Sequence, residues 1–102
     1  ELIAAMLERA GKRVASISSV RVKIGPDVSN NLTGNSMPGR FALQRFLRHA
    51  VDARCDYAIL EVTSQGVAQF RDRFINFDAA MVTNLHPEHI EAHGSFGAYR
   101  AA

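Results

Sequence analysis

Apolar residues fall at helical spacing through the start of the chain, at Leu2, Ile3, Met6, Leu7 and Ala10, and Gly11 stands where a helix C-cap belongs. Val14-Ala15-Ser16-Ile17-Ser18-Ser19-Val20 then alternates as a strand does, and Arg21-Val22-Lys23-Ile24 either continues it or returns as a hairpin partner. Gly25-Pro26-Asp27 ends that run. Val28 to Gly39, rich in Ser, Asn, Gly and Pro, predicts a loop too long for a mere connection. Pro38 suits a first helical turn, and Leu43, Phe46, Leu47, Ala50 and Val51 follow the i, i+3, i+4, i+7, i+8 rule of a buried helical stripe.

Asp56 opens Tyr57-Ala58-Ile59-Leu60-Glu61-Val62-Thr63-Ser64, a near-continuous apolar run of the kind buried on both faces in parallel sheets. The polar, turn-prone stretch Thr63 to Arg73 and Phe74-Ile75-Asn76-Phe77-Asp78 lead to a second such run, Ala79-Ala80-Met81-Val82-Thr83-Asn84-Leu85. Ser95 to Ala102 begins like a capped helix and stops after about two turns of 3.6 residues. Helices alternating with apolar strands predict an α/β fold, with a right-handed crossover wherever a helix joins two parallel strands.

With 102 residues the chain is one domain or part of one, too short for separate substrate and nucleotide domains. Its 47% hydrophobic and 22% charged residues are those of a soluble globular protein, and no apolar run approaches the roughly 20 residues of a membrane span. Acidic residues at both ends of Glu1 to Glu8, and the lack of a basic start, are unlike a secretory signal, so the cytoplasm is the expected location. Cys55 is the only cysteine; no internal disulfide can form, and a small residue at a helix-to-strand junction is its expected role. A net charge of +2 is too small to point to nucleic acid. Arg40, Arg45, Arg48 and His49 lie largely off the apolar stripe as a solvated face, and Phe41, Phe46 and Phe70 are buried or solitary rather than a stacking platform.

The chemistry gathers at the strand ends. Ligands of open parallel sheets bind beyond the carboxyl ends of the strands, so Glu61 at one end and His89 just past the next could converge on Mg²⁺ or Mn²⁺. A cation would offset the cost of burying a carboxylate after four apolar residues; pairing of a partly exposed Glu61 with an arginine is the plainer alternative. His86, His89 and His93 have the spacing of a helical zinc face, but Pro87 and Gly94 argue against one continuous helix.

Glu61-Val62-Thr63-Ser64-Gln65-Gly66 with Gln69 and Arg71 soon after, and Thr83-Asn84-Leu85-His86-Pro87-Glu88-His89-Ile90-Glu91-Ala92-His93-Gly94, resemble the Mur ligase central domain. That family shows Glu-Val-Ser-Ser-His-Gly, a Gln-x-Arg, and Thr-Asn-Leu-x-x-Asp-His-x-x-x-His-Gly; Gln65 replaces the usual His and Glu88 the usual Asp. Asn35-Ser36-Met37-Pro38 corresponds to a family Asn-Thr-Thr-Pro, so Ser36 keeps a hydroxyl and Met37 loses one.

The resemblance implies a three-layer, mostly parallel sheet of the P-loop/Mur ligase central-domain type, incomplete within residues 1–102. It implies an ATP-dependent acid–amino-acid ligase that extends a UDP-N-acetylmuramoyl-peptide in peptidoglycan synthesis. In that reaction a substrate carboxylate attacks the γ-phosphate of ATP, and an amine attacks the acyl phosphate that results. Glu61 and His89 are implied as ligands of Mg²⁺, and Asn35, Ser36, Thr63, Gln69 and Arg71 as contacts to the muramoyl-peptide; no residue is an obvious nucleophile. The family pattern places a Walker A loop before Glu1 and a carbamylated lysine after Ala102, so these residues alone are expected to be inactive. Folylpolyglutamate- and cyanophycin-type ligases share the central fold and metal site, but the loop around Asn35 favours the cell-wall branch. A non-catalytic module that keeps the strand-end pocket for an anionic ligand is the reading from another class.

Overall fold

The computed structural model describes residues 1–86 and 90–101. Helix α1 (Leu2–Arg9) ends as its sequence predicts, with Gly11 left-handed at φ +77°. The Gly11 amide donates to Glu8 O and the Lys12 amide to Leu7 O, the paired bonds of a Schellman cap. The helix packs on strand β1 (Val14–Ile17) chiefly through Ala4; Leu2 and Met6 of the predicted apolar stripe are exposed.

A turn at Ser18 to Val20 then sends the chain back as β2 (Arg21–Ile24), which settles the second apolar run as a hairpin partner. The Ser18 hydroxyl oxygen accepts from the amides of Val20 and Arg21, at 3.4 and 3.2 Å, in the manner of a Ser-centred turn. Asp27–Asn30, predicted as loop, forms strand β3, antiparallel to β2 with Ile24 opposite Asp27. The physical reason is the two-residue connection: Gly25 takes φ +58°, which a tight hairpin requires at its first position, and Pro26 suits the second.

Helix α2 (Arg40–Asp52) begins two residues after Pro38 and buries Leu43, Phe46 and Ala50, with Leu47 partly covered. Val51, predicted to join that stripe, is exposed. Arg54 is left-handed at φ 55°, and the amides of Arg54 and Cys55 donate to Val51 O and Ala50 O, closing α2 by the same cap as α1. Half-buried Cys55 occupies the helix-to-strand junction, as expected.

Strand β4 (Tyr57–Leu60) lies parallel to β1, from Val14 opposite Tyr57 to Ile17 opposite Leu60. The sheet order is β3-β2-β1-β4, so it is mixed rather than mostly parallel. Ala15 and Ile17 face a core with Met37, Leu43, Phe46 and Ala50, while Val14, also fully buried, points to the face covered by α1. Strand β4 is the edge among the described residues, and Tyr57 at its start is 46% exposed, not buried on both faces.

The predicted second strand is not formed. Residues 79–85 join no ladder, and Met81 and Val82 are exposed. Apolarity makes a run eligible for burial, but a strand exists only through a partner, and these residues do not pair with the open edge of β4. Three short helices follow among the described residues: α3 (Ser64–Ala68), α4 (Ile90–His93) and α5 (Phe96–Ala101). Ser95 caps α5, its hydroxyl oxygen accepting from the Ala98 amide at 3.1 Å.

Candidate functional site at the carboxyl ends of β1 and β4

Parallel pairing brings the end of β1 beside the end of β4, where the Glu61 amide donates to Ile17 O at 3.2 Å. The Glu61 carboxylate is exposed, not buried, and its Oε2 accepts from the Ser19 amide at 3.3 Å. No salt bridge to an arginine engages it among the described residues. A hard oxygen ligand with lone pairs to spare suits Mg²⁺, so this residue fits the cation the sequence implies. His89, the second expected ligand, lies outside the described residues. Among the described residues no group of three or more His, Cys, Asp or Glu is gathered to hold a metal.

Thr63 is the N-cap of α3, its Oγ1 accepting from the Gly66 amide at 3.1 Å. That cap turns part of the predicted polar stretch into a helix. Phe70 is left-handed at φ 54°, and the amides of Phe70 and Arg71 donate to Val67 O and Gly66 O, so α3 closes as α1 and α2 do. This reversal carries Gln69 and Arg71 back toward the loop after β3. Arg71 Nε donates to Gln69 Oε1 at 2.9 Å, and its Nη1 donates to the carbonyl oxygen of Met37.

Met37 is itself only 1% exposed and leans on Gly66 so closely that a Cβ there would overlap Met37 Sδ. The loop bearing Asn35 and Ser36 is therefore fastened through Met37 to the segment bearing Thr63, Gln69 and Arg71. Of the expected substrate contacts, Gln69 and Arg71 touch directly, and Thr63 lies, as Met37 does, against Gly66. Among the described residues Asn35 bonds only within its own loop, and no hydrogen bond ties Glu61 to these residues.

Two contributors had no role assigned from the sequence. Asn31 is the hub of the loop: its Nδ2 donates to Ser18 O at 2.7 Å and to Asn35 O at 2.8 Å, and its Oδ1 accepts from the Thr33 amide at 3.0 Å and hydroxyl at 2.6 Å. The Asn-x-Thr-Gly spacing of an Asx turn was the available signal. The second is Ser64, whose Oγ lies 3.0 Å from His93 Nε2. At the opposite end of the sheet, an open cleft of about 450 Å³ is lined by Glu8, Lys12, Arg13, Lys23 and Gly25, away from all of these residues.

The chain belongs to the Mur ligase middle domain family, which it matches over residues 1–102. It is 36% identical over 100 residues to a UDP-N-acetylmuramyl-tripeptide synthetase of Treponema pallidum, covering 96% of this chain and 18% of that protein. It is 34% identical over 101 residues to a UDP-N-acetylmuramoyl-L-alanyl-D-glutamate--2,6-diaminopimelate ligase of Geobacillus thermodenitrificans, covering 99% of this chain and 20% of that protein. The corresponding L-lysine ligase of Staphylococcus epidermidis is 38% identical over 65 residues, 64% of this chain and 13% of its own. The chain spans about a fifth of the length of the curated relatives it matches.

Proposed function

We propose that this chain is a partial central domain of an ATP-dependent ligase that joins an amino acid to a UDP-N-acetylmuramoyl-peptide through an acyl phosphate. The observation that carries this reading is the family match over the full 102 residues, together with relatives that are tripeptide synthetases or amino-acid ligases by name. Relatives named for diaminopimelate and for lysine match the chain at 34% and 38% identity. The stretch therefore serves what those enzymes have in common, the holding of the muramoyl-peptide and ATP, rather than the choice of amino acid.

In this reading Asn35, Ser36, Thr63, Gln69 and Arg71 hold the muramoyl-peptide. The guanidinium keeps donors to spare beyond its bonds to Gln69 and Met37, and a fixed planar fork suits an anionic group of the substrate. Their contribution is orientation of the reacting carboxylate rather than bond-making. Glu61 and His89 are the proposed ligands of Mg²⁺, which when bound offsets the charge that builds up between carboxylate and phosphate. The proposed setting is the cytoplasm, where the nucleotide substrates are made; no helix among the described residues is long and apolar enough to cross a membrane.

The test is ADP release by the full-length protein carrying this sequence, with ATP, Mg²⁺, UDP-muramoyl-dipeptide and a set of amino acids. Turnover is expected only when the dipeptide and one amino acid are both present. Turnover with a folate or a polyamino acid in place of the dipeptide would overturn the cell-wall assignment.

A further inference from the structure

Ser64 and His93 come from segments 29 residues apart and meet at 3.0 Å, both half-buried. Ser64 is the first residue of α3, three places after Glu61; His93 is the last of α4, four places after His89. The imidazole is set from two further sides. Gly94, left-handed at φ +77°, stops α4 directly after it, and the Tyr99 ring packs against it with centroids 5.4 Å apart. One hydrogen bond thus joins the segment that follows the first expected cation ligand to the segment that follows the second.

We propose that Ser64 and His93 form a positioning pair that sets how the two cation-binding segments approach one another. The inference rests on the reading of Glu61 and His89 as cation ligands. Neither Ser64 nor His93 is assigned to the ion or to the substrate; each acts through the other. A half-buried hydroxyl–imidazole bond suits this role because it is short and directional. Groups bonded directly to metal ligands typically govern affinity by about 10–100-fold, and a pair acting one step further out is expected at the lower end of that range.

Binding of Mn²⁺, followed by electron paramagnetic resonance in the full-length protein, provides the test, with turnover and melting temperature measured alongside. Ser64→Ala and His93→Ala are each expected to weaken Mn²⁺ about tenfold or more. The double variant should be no weaker than either single one, since both remove the same bond. Ser64→Thr, which keeps the hydroxyl, should restore binding to within about threefold of wild type, and KM for the muramoyl-peptide should change far less than kcat. Unchanged Mn²⁺ affinity in both alanine variants, or losses that simply add, would overturn the pair while leaving the ligase reading intact. A wild-type protein that binds no Mn²⁺ would overturn both.

Discussion

Arg71 reaches back 34 residues to donate from Nη1 to the carbonyl oxygen of Met37, while its Nε–H is held by Gln69. The expected substrate arginine is therefore already part of the scaffold of the loop that bears Asn35 and Ser36. Arg71→Lys should fail almost as badly as Arg71→Ala, because a single ammonium cannot reproduce two bonds from a planar fork. Loss of the bond leaves the half-buried Met37 carbonyl without its partner and should cost about 1–3 kcal/mol of stability. Urea unfolding and KM for UDP-muramoyl-dipeptide check this; a lysine variant with wild-type values in both would refute it.

Gly66→Ala is expected to destabilise the protein by about 1–3 kcal/mol, since the new methyl group overlaps Met37 Sδ and the surrounding side chains are tightly packed. Thr63 Oγ1, 3.0 Å from the same point, limits the room for escape. Trimming Met37 to Ala in the Gly66→Ala background should cost less than it does in wild type. Additive losses in that double-mutant cycle would mean that the two sites do not press on each other.

Arg54→Gly should stabilise the chain by about 0.5–1 kcal/mol. The left-handed conformation at this cap is strained for a residue with a Cβ, and glycine relieves it at an exposed position with no salt bridge among the described residues to lose. The gain is reduced by the greater freedom of glycine in the unfolded state. A melting temperature that falls would show that the cap does not limit stability.

Asn31→Ala removes both tethers to Ser18 O and Asn35 O together with the Asx turn. A loss of about 1–2 kcal/mol is expected, with amide hydrogen exchange rising at residues 33–35 more than in the sheet. Exchange that rises evenly across the chain would place the role of Asn31 in global stability instead.

Helix α2, the cap at Gly11 and strands β1 and β4 were legible because each is written in local periodicity or in a glycine at a helix end. Strand β3 was hidden by a Gly-Pro pair that stops a strand in one context and turns a hairpin in another; only its partner decides. The run at 79–85 misled for the opposite reason, since its apolar pattern is strand-like and the ladder that would realise it is absent. At the site, residue type and position pointed to Glu61 and the family resemblance to Gln69 and Arg71, but neither pointed to Arg71 bonding Met37 or Ser64 meeting His93, because such contacts depend on how helices and loops dock across 29 to 34 positions.

Met37 belongs at once to the core beneath α2 and to the loop that carries Asn35 and Ser36. With Asn35 and Ser36 holding the substrate as proposed, folding free energy and ligand affinity would draw on a common side chain. A ligand that fixes the loop should raise the melting temperature by thermodynamic linkage, and a cavity cut at Leu43 or Phe46, remote from any substrate atom, should register as weakened binding. For this domain, a variant scored only by its affinity would be indistinguishable from one whose interior had loosened.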